Sequence, residues 1–262
     1  MTIEQFWAAM AMTLLASLTT AVGGALVLVQ RRPGPKFLAV TLGFSAGVMI
    51  YVSLAQLLAT ATTKFYEAHF SHPALFTIGA FMIGIITAAL VDKLLPHSHH
   101  PDAAYDAPKT PPAGRMMRIS WFVGLALSLH NFPEGFVTFV ANLDSPQLGI
   151  PVAVAIALHN IPEGIAVAVP IYFATQNRWL AFAVAAMSGM AEPIGAAVGG
   201  TILWSVMGPA VLATSFAVIA GIMVFISLDQ LFPAAREYGE HHLAIYGLFA
   251  GMAVLGTSLA LM

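Results

Sequence analysis

The amino-acid sequence predicts an all-α membrane protein: eight transmembrane helices in a 3+2+3 inverted-repeat bundle, with both termini outside. Three observations carry that expectation. The 262 residues are 59% hydrophobic and only 8% charged, against about 25% charged in a soluble domain. Apolar runs long enough to span a bilayer, about 20 residues each, recur along the whole chain. The basic residues fall on alternate loops, as the positive-inside rule requires of a multi-pass protein.

In order, the expected spans cover 6–29, 37–59, 74–95, 119–141, 149–173, 181–205, 210–232 and 243–262. The first follows MTIEQFW, which holds an acid and no basic residue. It is therefore expected to remain as a span rather than to be removed as a leader. The breaks are QRRPGPK, TKFYEAHFSHP, the long 96–118 segment, NLDSPQ, TQNR, MGP and REYGEHH. Each supplies Pro, Gly or charged groups that end a helix or need water.

Orientation follows from charge. Arg31, Arg32 and Lys36, then Lys93, Lys109, Arg115 and Arg118, then Arg178, then Arg236 occupy alternate loops, which makes nine of the ten basic residues. The opposite side holds Lys64 alone. The basic side is read as cytoplasmic, so both termini lie outside, in the periplasm if the membrane is a bacterial inner membrane. The chain thus divides into spans one to three (1–95), a cytoplasmic loop (96–118) and spans four to eight (119–262), all one integral membrane domain. The loop has five prolines and the cluster His97, His99 and His100. Its composition is that of a disordered segment, and its histidines either collect cytoplasmic metal or form a solvated tract.

Two internal repeats set the architecture. AGVMIYVSLAQLL (46–58) matches AGIMVFISLDQLF (220–232) at seven of thirteen positions, including Met49 with Met223, Ser53 with Ser227 and Gln56 with Gln230. AVGG at 21–24 recurs at 197–200, and LHNFPEG (129–135) recurs as LHNIPEG (158–164). By the loop charges the matched helices run in opposite directions. Inverted repeats of this kind build transporters whose sites lie near the midplane.

The second repeat carries the chemistry. His130 and Glu134 stand four residues apart, as do His159 and Glu163, so each pair shares a helix face. Asn131 and Asn160 sit beside them, about 100° round the axis. Pro133 and Pro162 offer no N–H to the carbonyls of Leu129 and Leu158, which frees oxygens at membrane depth. Glu134, Glu163 and Glu192 lie inside spans without Lys or Arg at matching depth. Each ionised carboxylate there costs about 2.5–3.5 kcal/mol on insertion scales. Crowded carboxylates without counter-charge protonate or hold a cation. Imidazole beside carboxylate suits zinc and its transition-metal neighbours better than magnesium or calcium. The imidazoles must be deprotonated to coordinate, so protons and metal compete.

These motifs, LHNFPEGFVTF and ALHNIPEGIAVA, resemble the metal-binding core of the ZIP (Zrt/Irt-like) family of metal permeases, and most of all its bacterial ZupT-like branch. AGVMIYVS, GMAEPIGA, SLDQLFPAAREYG and the His-bearing loop extend the resemblance over nearly the whole chain. It implies one metal position lined by His130, Glu134, His159 and Glu163 with Met49 nearby. An adjoining position would use Asn131, Asn160 and Glu192, with Glu134 and Glu163 bridging two ions. It also implies a homodimer that imports metal, with spans one, four, five and six shifting against the rest. The chain departs from the family pattern at Gln56 and Gln230, where glutamates are expected.

Zn2+ is the expected substrate, with Fe2+, Mn2+, Co2+ and Cd2+ as possible alternatives, and no organic cofactor is expected. With no cysteine and a net charge of −2, thiolate ligation is excluded and no nucleic-acid partner is inferred. An intramembrane metalloprotease would need an HExxH helix, and no such string exists in the sequence. A proton-coupled exporter would share the same site and differ only in direction. Met49 also fits as plain apolar core. Asp229 lies near the cytoplasmic end of its span and is either solvated there or held within the bundle. The His69/His72/Glu67 and His241/His242/Glu240 groups read as solvated, with an entry or exit role as the alternative.

Overall fold

The computed structural model describes residues 2–30, 33–94, 128, 131–203, 206, 208–238 and 241–261, which form helices and turns with no strand among them. The helices are α1 (Ile3–Gly24, extended by Leu26–Val29), α2 (Pro35–Glu67), α3 (Pro73–Leu94) and α4 (131–144). They continue as α5 (Pro146–Thr175), α6 (Arg178–Gly189, then Ala191–Leu203), α7 (Pro209–Glu237) and α8 (His241–Leu261). All but α4 are long and apolar enough to cross a membrane. The predicted fourth span lies partly outside the described residues; its described part is helical. The 96–118 loop, with His97, His99 and His100, also lies outside them.

Local chemistry explains the ends. Thr2 and Gln5 form a reciprocal cap on α1 at 2.8 and 3.2 Å. Prolines open α2, α5 and α7 at the position where their missing N–H costs nothing. Gln176 ends α5 in the left-handed region at φ 54°, and Asn177 at once caps α6. Pro193 can give no N–H to the Gly189 carbonyl, and α6 breaks at Met190. The Gly189 carbonyl instead accepts the Ser17 hydroxyl of α1 at 3.0 Å.

Two helices outrun their predicted spans. The α2 helix, read as ending near 59, continues to Glu67, and α7, read as ending near 232, continues to Glu237. In the polar stretch after 59, the Thr62 and Thr63 hydroxyls are satisfied within the helix, bonding to the Leu58 and Ala59 carbonyls at 2.9 and 3.1 Å. Lys64 in the last turn complements the helix dipole.

Packing divides the bundle into two groups. In one, α1 packs on α5 and α6, and α5 on α6. The α4 helix joins them through Gly135 against the Glu192 backbone and Phe139 against Phe6 of α1. In the other, α2 packs on α8 and α3 on α7, with the last part of α2 touching α3 and α7. The main seam between the groups runs between α2 and α5.

The first sequence repeat has a structural counterpart. Gly47 lies against the Leu248 backbone of α8, and its mate Gly221 against the Phe81 backbone of α3. Both repeat helices carry a π-turn, Val52–Leu57 in α2 and Ser227–Leu231 in α7. In both, the matched serine donates to the matched methionine carbonyl at 2.7 Å, Ser53 to Met49 and Ser227 to Met223. Such back-bonding bends helices and accompanies wide turns. Neither π-turn was visible as such in the apolar periodicity.

Candidate metal centre

The second repeat places its polar residues in the interior of the first helix group. Asn131 and Glu134 on α4, His159, Asn160 and Glu163 on α5, and Glu192 on α6 are all buried, none more than 1% exposed. His130 lies outside the described residues. Pro162 interrupts the α5 hydrogen-bond ladder at the Leu158 carbonyl, and neighbouring helices donate to the carbonyls on either side of it. Thr19 of α1 donates to the Ala157 carbonyl at 3.0 Å, and Ser45 of α2 to that of His159 at 3.3 Å.

Glu134, His159 and Glu163 form a cluster in which one ligand atom of each lies within 4.8 Å of the others. His159 Nδ1 is 3.2 Å from the Ala155 carbonyl. With the proton on Nδ1 for that bond, Nε2 is left as a lone-pair donor facing the cluster. Nε2 stands 3.2 Å from Glu134 Oε2. Two lone pairs at that separation repel unless a proton or a cation lies between them. Zinc ligands about 2.0–2.1 Å from the metal and about 3.2–3.4 Å from each other subtend a near-tetrahedral angle. The spacing therefore fits a bound zinc ion.

A second set adjoins it. Asn160 Nδ2 donates to the Ala16 carbonyl at 3.0 Å and to Glu192 Oε1 at 2.7 Å. Asn131 Nδ2 donates to the Ser188 carbonyl at 3.1 Å. These bonds anchor both amide nitrogens and leave the oxygens to accept. Asn131 Oδ1, Asn160 Oδ1, Glu192 Oε2 and Thr20 Oγ1 are buried without a hydrogen-bond partner. Unpartnered buried acceptors are costly and rare.

Electrostatics favour the same guest. Three buried carboxylates lie in this region, and among the described residues no Lys or Arg is buried. Close helix approach makes the crowding possible. A Cβ on Gly164 would meet the Thr20 backbone of α1, and one on Gly135 the Glu192 backbone of α6. Glycine at these two positions lets the motif helices sit backbone to backbone.

Met49 is fully buried in the apolar core around α2. Gln56 and Gln230 sit in the two π-turns, outside the cluster, and Gln230 donates to Asp92 at 3.3 Å. Asp229, His69, His72, His241 and His242 are exposed on the surface of the chain. Thr20, Ser45, Ser17 and Thr19 at this centre carry no signal in the sequence. A small hydroxyl in an apolar span usually bonds its own helix, so only packing shows which ones turn to a neighbour.

Comparisons with known proteins find zinc transporters. Residues 96–258 match the model of the family described as ZIP zinc transporter. The chain is 51% identical over 256 residues to the zinc transporter ZupT of Corynebacterium aurimucosum, covering 97% of this chain and 96% of that one. It is 46% identical over 266 residues to the zinc transporter ZupT of Stenotrophomonas maltophilia, covering 98% and 97% of the two chains. It is 44% identical over 286 residues to that of Campylobacter jejuni, covering 100% and 98%.

Proposed function

The chain belongs to the ZIP zinc transporter family, and from that premise we propose that it carries zinc across a membrane into the cytoplasm by alternating access. The ion crosses at the Glu134, His159 and Glu163 cluster. The observation that carries this reading is the imidazole nitrogen set 3.2 Å from a carboxylate oxygen, in a buried carboxylate cluster without a buried Lys or Arg among the described residues.

His130, which repeats His159 in the paired motif, completes the first metal position, with Met49 approaching from α2. Asn131, Asn160 and Glu192 hold an adjoining ion, and the unpartnered oxygens there support it. Fe2+, Mn2+, Co2+ and Cd2+ are accepted as alternatives, because nitrogen and oxygen ligands discriminate weakly among them. The permease works as a homodimer in the cell membrane, the inner one in a bacterium.

The eight-span, 3+2+3 layout with both termini outside is supported by contacts between helix ends. Lys64, late in α2, meets Asp144 at the end of α4. Arg178, opening α6, reaches the Leu28 carbonyl at the end of α1. Gln230, late in α7, meets Asp92, late in α3. Chain alternation then places the start of α1 and the end of α8 on one face, opposite most of the basic loops. The packing of α2 on α8 and α7 on α3 fits a twofold relation that exchanges α2 with α7 and α3 with α8.

Uptake of radiolabelled zinc into proteoliposomes tests the function. Zinc applied at the face bearing the termini enters, and unlabelled Cd2+ or Mn2+ competes. Flux only in the opposite direction would make the protein an exporter, and absence of flux would remove the transport reading. Deletion of 97–109 is expected to lower capacity or regulation while leaving transport in place. The same assay on the deletion variant measures it, and complete loss of flux in folded protein would make the loop part of the path.

A further inference from the structure

Lys64 breaks the charge pattern of the chain, as the one basic residue on the outer side in the orientation read from the sequence. Its ammonium is not spread into solvent. Nζ lies 2.7 Å from Asp144 Oδ1 and 3.1 Å from Glu67 Oε2. The Lys64 and Asp144 side chains are only 17% and 13% exposed, which weakens the salt screening that makes surface pairs nearly worthless. Glu67 shares the last turns of α2 with Lys64. Asp144 does not, because it ends α4 where the chain turns into α5. The contact therefore joins the two helix groups across their seam.

The seam has a second polar crossing deeper in the membrane, Ser45 of α2 to the carbonyl of His159 on α5. That one fastens the metal-bearing helix itself, and the outer one fastens the turn that links both motif helices. We infer that Lys64 and Asp144 form an ionic latch that closes the outer end of the seam and releases once in each transport cycle. This rests on the alternating-access reading above. A group of helices that carries a buried ion cannot shift against its neighbours while its outer turn is tied to them. Glu67, 45% exposed, keeps the ammonium solvated by an anion when Asp144 departs, so the open state is not charged the full cost of an isolated lysine.

The chain contains no cysteine, so paired thiols can be introduced without background. Lys64→Cys with Asp144→Cys, joined by a short cleavable thiol-to-thiol reagent, is expected to lose at least about tenfold in zinc flux and to regain it on cleavage, since holding one state removes the other from the cycle. Either single cysteine variant should not respond to the reagent. In a Lys64→Gln background, a thiol at the buried position Val52→Cys should react about fivefold faster with an impermeant reagent added outside, the shift expected for losing one partly shielded ion pair. The charge exchange Lys64→Asp with Asp144→Lys should slow it again. Full flux with the bridge in place would overturn the latch, as would failure of the bridge to form in transporting protein. So would unchanged labelling in Lys64→Gln. If the unmodified chain itself moves no zinc, the transport reading fails instead.

Discussion

Glu163→Ala is expected to abolish zinc uptake, with a loss of at least about a hundredfold, and to leave the protein folded. Mutating an outer-shell partner of a metal ligand costs about 10–100-fold in affinity or activity, and Glu163 belongs to the cluster itself. Its loss removes one of the two carboxylates of the cluster and leaves His159 and Glu134 to hold a dication with half the anionic charge there. Folding gains rather than suffers, because an ionised carboxylate at a helix centre costs about 2.5–3.5 kcal/mol. Glu163→Gln should behave nearly as badly in flux, since it keeps shape and hydrogen bonding and loses the charge. Zinc uptake into proteoliposomes, read beside the thermal midpoint of the purified variants, checks both halves. Wild-type uptake by Glu163→Ala would take this residue out of the path.

Gly164→Leu is expected to fail by a different route. The Cβ alone would fall on the Thr20 backbone of α1, and backbone cannot yield as a side chain does. Overpacking of this kind costs about 1–3 kcal/mol and sometimes more. Helices α1 and α5 must separate, and the hydrogen bonds between them are broken. Asn160 would lose the Ala16 carbonyl, and Thr19 the Ala157 carbonyl. The variant should show a lowered thermal midpoint together with at least about tenfold lower flux, and Gly164→Ala should fall between it and the parent. The contrast with Glu163→Ala, one residue earlier, separates a chemical role from a packing role. Equal thermal midpoints for parent and Gly164→Leu would refute the close approach.

Much of this centre is legible without a structure, because polar residues inside apolar spans are few and each must have a reason. Glu134, His159, Asn160, Glu163 and Glu192 stand out in the sequence and prove to be buried in one helix group. The spacing of four residues gave the His159 and Glu163 face directly. Helix ends were read less well, since α2 and α7 pass beyond their apolar runs into polar turns. There the threonine hydroxyls are satisfied within the helix and a lysine matches its dipole, neither of which hydropathy registers. The π-turns are hidden for a related reason. One extra residue per turn shifts the register without changing composition, and only the recurrence of Ser53 and Ser227 in the repeat hints that both helices share a local feature. The cross-seam contacts of Ser45 and Lys64 depend on which helices become neighbours, which no local pattern encodes.

The claim beneath all of this is that imidazole and carboxylate from α4 and α5 ligate one zinc ion together. X-ray absorption at the zinc edge, on purified protein loaded with less than one equivalent of zinc, addresses it directly. The account predicts a nitrogen and oxygen shell at about 2.0–2.1 Å with the outer scattering of imidazole, lost in Glu163→Ala. An all-oxygen, hydrated shell without imidazole, the same in parent and variant, would contradict it.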